Sequence, residues 1–471
     1  MTERLTSGQK NLDLILQGGL PMNAINLIIG PPGSGKTILT EQYIFRNATI
    51  ERPALYLSTV SEPFDKIIRY GQSLEFFEAS AIGTRVIYED LGVALGDQGL
   101  SGVLTRIDGV IKEHHPGLVA IDSFKALHAF AADEGEFRRF LHDLAGRLTA
   151  MAVSSFWVGE YDASESTDAP EFAVADTIIA LGTARMSERQ TRILQVLKLR
   201  GSGFAAGEHA YRITKSGLDI FPRLADLLDS SDHALGSKRQ STGVDALDEL
   251  LGDGYWPGST TLVCGPSGVG KTLIGLHFIF QGAKRGEPGV IATLQENRTQ
   301  LSRIVEGFGW SLGNPGVHLM ARSPVDVYID EWVYELLDLI EKTGAKRVLI
   351  DSLADLYFTI GDPIRFREWM YSLTQRLVRM GVSLLMTLEV PELFEVVLGE
   401  KLKERRAPEQ GIVGRPHIVR GEDFSTARAG RRARRNAGRE CGPRRALSRA
   451  DRRRWARTSR RCGRGGSIPR V

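Results

Sequence analysis

The chain has 471 residues, of which 42% are hydrophobic and 25% are charged, a globular composition long enough for two domains. Its three cysteines (Cys264, Cys441 and Cys462) are too few for a disulfide framework or a four-ligand zinc site, so a reducing compartment is expected. Because the N-terminus is polar and no stretch approaches the roughly 18 apolar residues of a membrane helix, the sequence predicts a cytoplasmic protein without a membrane partner.

The net charge of +3 conceals an uneven distribution. Residues 401–471 contain 21 Arg, 2 Lys and 6 acidic residues, a balance of +17, whereas residues 1–400 contain 37 basic and 51 acidic residues, a balance of −14. The acidic body and the basic tail are therefore interpreted separately.

An internal repeat determines the predicted domain organisation. The segment 6–45 resembles the segment 241–280, and Gly8 and Gly243 are 235 residues apart, as are Lys36 and Lys271. Because the register is constant over some forty positions, we infer duplication of a whole domain. The predicted parts are a first domain at 1–228, a linker at 229–240, a second domain at 241–398 and an Arg-rich tail at 399–471.

Each repeat alternates short apolar runs with amphipathic stretches, in the order expected of a doubly wound α/β sheet. The runs in the first repeat are ALYLS (54–58), GLVAID (117–122), SSFWVG (154–159), DTIIAL (176–181) and ILQVLKL (193–199). Those in the second are TLVCG (261–265), GVIATL (289–294), RVLID (347–351) and SLLMTL (383–388). Short buried strands separated by helices predict mostly parallel sheets.

Each repeat contains one phosphate-binding loop. GPPGSGKT (30–37) and GPSGVGKT (265–272) both match G-x-x-x-x-G-K-[ST], and each follows an apolar strand and opens a helix-like stretch. Glycines let backbone N–H groups converge on phosphate oxygens, the lysine neutralises the outer phosphates, and the threonine offers its hydroxyl to Mg²⁺, so ATP and Mg²⁺ are the expected cofactors. The predicted nucleotide-binding residues are Gly30, Gly33, Ser34, Gly35, Lys36, Thr37, Gly265, Gly268, Val269, Gly270, Lys271 and Thr272.

A second metal ligand is predicted at the end of a neighbouring strand. Asp122 ends LVAID and Asp351 ends RVLID, 86 and 80 residues beyond the loop lysines. A strand-ending aspartate can instead cap a helix, but its occurrence in both repeats favours the metal. The predicted metal ligands are therefore Thr37, Asp122, Thr272 and Asp351.

The paired loops, the Asp-Ser strand ends and the stretch VLKLRGSGFAAGEHAYRITKSGLDIFP (196–222) resemble the KaiC-type proteins of the cyanobacterial circadian clock and their wider relatives. The resemblance covers residues 1 to about 398. It implies two tandem RecA-like P-loop domains, a homo-hexamer of two stacked rings and ATP bound between neighbouring subunits. It also implies that Lys198 and Arg200 reach the neighbour's nucleotide, as an arginine finger does. The alternative is a strand end with snorkelling basic side chains.

The catalytic pair of the family is altered here. After the second strand the family carries Glu-Glu, which activates the attacking group, whereas the second repeat has Gln295 and Glu296. The first repeat has Val60 and Ser61, with Glu62 one position further on. Because glutamine can orient water but cannot accept its proton, we expect slow hydrolysis, with Glu62, Gln295 and Glu296 as catalytic candidates.

The resemblance also implies serine/threonine autokinase activity, on adjacent Ser and Thr residues after the strand that matches SLLMTL. The corresponding loop, EVPELFEVVLGE (389–400), contains neither Ser nor Thr. The sequence therefore favours ATP hydrolysis over autophosphorylation.

From about Gly399 the composition changes to Arg, Gly, Ala and Pro, and no apolar run of comparable strength follows SLLMTL. The second domain is thus predicted to be incomplete, without its last strands or its own K-L-R segment. Two explanations stay open: out-of-frame translation of a GC-rich gene, and a disordered basic arm that binds nucleic acid or an acidic partner through charge.

Three function classes are consistent with these residues. The leading hypothesis is a ring-forming ATPase with a regulatory or signalling role. A RecA-type DNA-handling ATPase is the second, but the candidate pore loops at 128–136 and 160–170 are acidic, which leaves nucleic-acid binding only to the basic tail. The third is a nucleotide-dependent scaffold that does not hydrolyse ATP.

Overall fold

The computed structural model describes residues 3–59, 64–162, 169–186, 189–224, 236, 238–324, 327–390 and 417–420. Both repeats belong to one compact unit, and each consists of a sheet covered by helices. The predicted boundary at residue 228 and most of the predicted linker 229–240 lie outside the described residues, so the domain limits stay a prediction.

The first repeat contains a nine-stranded sheet and a small two-stranded one. Its strands are β1 (Arg4–Leu5), β2 (Leu20–Pro21), β3 (Ile25–Ile29), β4 (Ala54–Ser58), β5 (Val86–Asp90), β6 (Leu118–Asp122), β7 (Ser154–Gly159), β8 (Thr177–Met186), β9 (Arg189–Leu199), β10 (His209–Thr214) and β11 (Gly217–Phe221). Its α-helices are α1 (Lys10–Ile15), α2 (Lys36–Asn47), α3 (Phe64–Gly71), α4 (Gly92–His114), α5 (Glu134–Ala150) and α6 (Pro170–Val174). Short 3₁₀ helices lie at Ala79–Ala81 and Phe124–Phe130.

The large sheet has the order β11-β10-β9-β8-β3-β7-β6-β4-β5. The strands from β8 to β5 pair in parallel, and the β8–β9, β9–β10 and β10–β11 pairs are antiparallel. Strands β3 and β4 are buried along their whole length, because helices cover both faces of the sheet and two separate hydrophobic cores form there. The mostly parallel α/β architecture is as the sequence predicts.

The second repeat has a six-stranded sheet of order β14-β13-β15-β16-β12-β17, parallel throughout. Its strands are β12 (Thr260–Gly265), β13 (Gly289–Thr293), β14 (Val317–Ala321), β15 (Arg347–Asp351), β16 (Ser383–Glu389) and β17 (His417–Arg420). Its helices are α7 (Asp245–Leu251), α8 (Lys271–Lys284), α9 (Arg298–Glu306), α10 (Ile329–Thr343), α11 (Leu353–Ile360) and α12 (Pro363–Arg379). The strand order repeats that of β5, β4, β6, β7, β3 and β8, as a duplicated domain requires.

One prediction needs correction. The sequence predicts that the second domain lacks its last strands, yet β17 lies beyond residue 398 and pairs in parallel with β12, at the position that β8 occupies beside β3. Four residues of moderate hydropathy suffice for an edge strand when a neighbouring strand offers a row of unpaired backbone hydrogen-bonding groups. Among the described residues the sheet has no counterpart of β9, β10 or β11, so the second domain is otherwise incomplete as predicted. The rest of the predicted Arg-rich tail lies outside the described residues.

Candidate phosphate-binding and catalytic sites

Both phosphate-binding loops join the end of a buried strand to the start of a helix. In the first repeat β3 ends at Ile29 and α2 begins at Lys36, with Gly35 as its N-cap at φ +92°. A Cβ atom at Gly30 would lie 2.1 Å from the Leu181 carbonyl oxygen, so only glycine fits there. In the second repeat Gly270 precedes α8 with φ +93°. Backbone N–H groups at the positive end of each helix therefore line the loop.

The loop lysines fold over their own loops. Lys36 Nζ donates to the Gly30 and Pro31 carbonyl oxygens at 2.9 and 3.0 Å, and Lys271 Nζ donates to the Pro266 carbonyl oxygen at 2.7 Å. Burial lowers the pKa of Lys36, and the negative charges of Glu160 and Asp122 oppose that shift. Each ammonium group is thus placed among acceptors that anionic phosphate oxygens can replace.

The structure brings together the threonine and aspartate predicted to hold a metal. Thr37 Oγ1 donates to Asp122 Oδ2 at 2.8 Å, and Thr272 Oγ1 donates to Asp351 Oδ2, also at 2.8 Å. The parallel pairing of β6 between β4 and β7 carries Asp122 to the loop edge of the sheet, and β15 does the same for Asp351.

These donor sets fit a hard cation bound together with a nucleotide. A hydroxyl and a carboxylate are oxygen ligands of the kind that Mg²⁺ takes from P-loop proteins, with phosphates completing the shell. The buried Ser34 hydroxyl, in the middle of the first loop, has no hydrogen-bond partner among the described residues. No cluster of three or more His, Cys, Asp or Glu in the described part of the chain could hold a metal ion by itself.

The two aspartates have different second partners. Tyr56 on β4 donates its hydroxyl to Asp122 Oδ2 at 2.7 Å, and burial raises the pKa of Tyr56, which keeps the phenol a donor. In the second repeat Thr387 on β16 donates to Asp351 Oδ1. Sequence reasoning identified both carboxylates but neither of these donors, because their contacts depend on strand register.

The residues predicted for water activation are only partly placed. Gln295 follows β13, and its Nε2 donates to Ser352 Oγ at 3.2 Å, beside Asp351. Glu296 donates its backbone N–H to Thr293 Oγ1 at 3.1 Å. Glu62, the candidate of the first repeat, lies outside the described residues. The catalytic roles of all three stay predictions.

Lys198 and Arg200 lie at the end of β9 and contact α6 and the residues just beyond it. Lys198 Nζ donates to the Phe172 and Ala173 carbonyl oxygens at 2.9 and 3.2 Å, and Arg200 forms a 3.1 Å ion pair with Asp176. Arg200 is exposed, and neither side chain forms a hydrogen bond to the phosphate-binding loop of the same repeat, which lies entirely within the described residues.

Two further residues support the first loop and were not predicted. Arg192 Nη1 on β9 donates to the Gly33 carbonyl oxygen at 2.7 Å, and Tyr211 on β10 donates its hydroxyl to the Ser34 carbonyl oxygen at 2.6 Å. They lie more than 150 residues beyond the loop in the chain. Nothing in the local sequence pattern could have identified them.

A cavity of about 650 Å³ lies beside Thr37, between α2, α3 and the β10–β11 hairpin. Its wall contains both apolar and polar side chains. The lining residues are Thr37, Ile38, Glu41, Ile67, Tyr70, Gly71, Ser73, Leu74, Ile213, Thr214 and Lys215. None of the helices that the structure describes combines the length and the apolar character needed to cross a bilayer.

A duplicated, mostly parallel sheet with a Gly-Lys-Thr loop at the end of one strand and an aspartate at the end of another defines a P-loop nucleotide-binding protein. The family model described as ATPase: KaiC matches residues 5–225 and 240–412, so the chain belongs to the KaiC ATPase family and is an ATP-binding protein.

Among relatives, a Circadian clock oscillator protein KaiC of Picosynechococcus sp. is 30% identical over 363 residues, which cover 74% of this chain and 69% of the relative. Circadian clock protein KaiC3 of Synechocystis sp. is 27% identical over 412 residues, covering 83% and 80%. A KaiC of Rippkaea orientalis is 29% identical over 379 residues, covering 75% and 72%. The similarity therefore extends through both repeats.

Proposed function

We propose that the chain binds Mg-ATP at both loops and hydrolyses it slowly as a homo-hexameric ring, whose nucleotide state regulates the docking of partner proteins. The observation that carries this proposal is the pair of 2.8 Å Thr–Asp contacts, which recurs in both repeats behind a loop that opens a helix. Such a contact prepares two oxygen ligands for one cation at the end of a phosphate-binding loop.

Each group of this site has a distinct proposed task. The loop N–H groups and the lysine ammonium would bind the phosphate chain, and Thr37 with Asp122, or Thr272 with Asp351, would hold Mg²⁺. When bound, Mg²⁺ supplies positive charge to the phosphate oxygens. In the first repeat the cavity beside Thr37 is proposed to take the adenine and ribose, since it adjoins the loop helix and combines apolar walls with Thr214 and Lys215.

We assign Lys198 and Arg200 to the nucleotide of the neighbouring subunit. Their support is the position at a strand end, the exposure of Arg200, and hydrogen bonds that go to α6 and Asp176 rather than to the phosphate-binding loop of the same repeat. A cation supplied in trans stabilises negative charge that develops on the γ-phosphate.

A subunit-mixing experiment tests the ring and the trans assignment together. One chain carries Lys36→Ala and the other carries Lys198→Ala with Arg200→Ala, both in a Lys271→Ala background that silences the second repeat. Each alone should hydrolyse ATP poorly. A one-to-one mixture should recover about a quarter of the activity of the Lys271→Ala chain, because random mixing in a ring pairs an intact loop with an intact neighbour at one interface in four. No recovery in mixed rings verified by gel filtration would refute the trans assignment.

Hydrolysis, rather than serine/threonine autophosphorylation, is the reaction proposed. The loop 389–400, where the family resemblance places the acceptors, contains neither Ser nor Thr. Without a hydroxyl at that place, water is the nucleophile that the site can offer to the γ-phosphate.

A further inference from the structure

A directional chain of hydrogen bonds begins at Gln295. Gln295 Nε2 donates to Ser352 Oγ at 3.2 Å, and Ser352 Oγ donates to Asp355 Oδ2 at 2.7 Å. Ser352 is 2% exposed and follows Asp351, which accepts from Thr272. The three side chains therefore connect the start of α11 to the edge of the phosphate-binding site.

The direction of this chain follows from the chemistry of its members. A carboxylate only accepts, so the single Ser352 proton is committed to Asp355. Ser352 Oγ can then only accept from its other neighbour, which must present an N–H. The Gln295 amide is thereby held with its nitrogen toward Ser352 and its carbonyl oxygen turned away. Because Gln295 itself is exposed, this contact is what restricts an otherwise mobile side chain.

We propose that Asp355 is a positioning residue for ATP hydrolysis in the second repeat, acting through Ser352 to present the Gln295 carbonyl to the attacking water. This inference rests on the proposed function. In the step, the water oxygen bonds to the γ-phosphorus while the bond to the β,γ-bridging oxygen breaks and ADP leaves with that electron pair. One proton of the water passes to an oxygen of the γ-phosphate, which is released as inorganic phosphate, because glutamine orients the water without accepting its proton.

The hydrogen-bond chain from Gln295 through Ser352 to Asp355 has no equivalent among the described residues of the first repeat. Asp355 lies four residues beyond Asp351, and the residue four beyond Asp122 is Ala126. In the first repeat the serine after the strand makes a different contact, in which the Ser123 backbone N–H donates to Thr59 Oγ1 at 3.0 Å. The duplicated fold forms with alanine at this position in the first repeat, so the fold alone does not explain an aspartate at position 355.

A competing role for Asp355 is purely structural, since a carboxylate in the first turn of α11 also stabilises that helix. Substitutions in a full-length Lys36→Ala chain separate the two roles, because hydrolysis then reports the second repeat. Asp355→Ala should lower kcat about twofold and leave KM unchanged, because Ser352 can then donate as well as accept, and the Gln295 amide adopts both orientations about equally. Ser352→Ala should lower kcat similarly, and adding Asp355→Ala to Ser352→Ala should lower it no further.

The matched control is Asp362→Ala, which removes the N-cap of α12 without touching Gln295 and should leave kcat unchanged.

The reciprocal substitution reverses the sign of the effect. With Gln295→Glu, a carboxylate faces Ser352, whose proton Asp355 already takes. Adding Asp355→Ala frees that proton to hold the new carboxylate, so hydrolysis should rise about fivefold in this background while it falls in the Gln295 background. A structural role would lower both, and thermal unfolding of each variant measures helix destabilisation separately.

The outcomes are distinguishable. If Asp355→Ala leaves kcat unchanged, or lowers it in both backgrounds, the positioning role is wrong while ATP binding and hydrolysis stand. If the Lys36→Ala chain binds Mg-ATP without hydrolysing it, the positioning role is wrong and the second repeat is a binding site only. If it binds no ATP, the proposed function of the second repeat fails as well.

Discussion

At the scale of single residues, the two sites share a Thr–Asp contact but differ in the groups around it. The first has a buried carboxylate, Glu41, one helical turn beyond Thr37 on α2, where the Tyr88 hydroxyl donates to Glu41 Oε1 at 3.3 Å. Burial raises the pKa of Glu41 to about 8. The second repeat has Leu276 at the equivalent position of α8. The first site therefore contains an acid that titrates near neutral pH.

The raised pKa of Glu41 predicts a pH-dependent stability. Between the unfolded pKa of 4.5 and the folded pKa of about 8, the folded state keeps a proton that the unfolded chain has lost, so the free energy of unfolding falls as pH rises through this window. Glu41→Gln removes this term. From pH 6 to 8.5 the wild type should lose on the order of 2 kcal/mol relative to Glu41→Gln.

Thermal unfolding followed by circular dichroism at both pH values measures this difference. The control is Glu113→Gln, because the Glu113 side chain is 66% exposed and its charge is solvated in both states. Stability curves that stay parallel for wild type and Glu41→Gln would show that Glu41 keeps an ordinary carboxyl pKa.

At the scale of elements, strand β15 is joined to its surroundings by a fully buried arginine. Arg347 Nη1 donates to the Ser241 and Phe278 carbonyl oxygens at 2.8 Å each, and its Nη2 lies 2.7 Å from Glu287 Oε2. The guanidinium carbon also lies 4.6 Å from the centre of the Phe278 ring. The side chain thus ties β15 to the beginning of the repeat and to the loop helix α8, whereas β6 has Leu118 at this position.

Arg347→Ala should destabilise the second repeat by about 1–3 kcal/mol, because the Ser241 and Phe278 carbonyl oxygens lose the N–H groups that it donates to them, whereas Glu287, with a side chain 35% exposed, still accepts from Gln240. Urea unfolding followed by tryptophan fluorescence measures this loss, with Leu118→Ala as a matched change on β6 that should leave the second repeat unaffected. A loss below 1 kcal/mol in the second repeat would mean that water replaces the guanidinium.

Features marked by a local sequence motif could be predicted from the sequence, whereas features that depend on contacts between distant parts of the chain could not. The Gly-Lys-Thr loops, Asp122 and Asp351 stand at fixed places relative to apolar runs, and the structure brings each Thr–Asp pair together. In the sequence, Arg192 and Arg347 cannot be distinguished from other basic strand residues, because their hydrogen-bond partners are distant in the chain. Strand β17 was missed because its neighbour, not its own composition, makes it a strand.

At the scale of the whole molecule, the repeats contact each other through charged side chains. Arg212 on β10 forms a 2.5 Å ion pair with Glu331 on α10 and lies over the Tyr328 ring at 4.3 Å. Arg223 forms a second ion pair with Glu368 on α12. Ile213 and Thr214, the next residues of β10, line the cavity beside Thr37, so strand β10 connects this contact to the candidate nucleotide site of the first repeat.

Two copies of one fold thus contain two candidate sites with the same phosphate-binding motif and different surrounding side chains. The first has Glu41, Tyr56 and Arg192 near its loop, and the second has Gln295 with Ser352 and Asp355. We therefore expect both repeats to bind nucleotide and to differ in hydrolysis rate.

Titration calorimetry of the full-length chain with a non-hydrolysable ATP analogue and Mg²⁺ tests the central claim most directly. The wild type should bind two nucleotides per chain, and Lys36→Ala and Lys271→Ala should each bind one with the remaining affinity unchanged. The double variant should bind none, because each lysine supplies the charge that holds the outer phosphates. Binding of two nucleotides by the double variant would contradict the assignment of both loops.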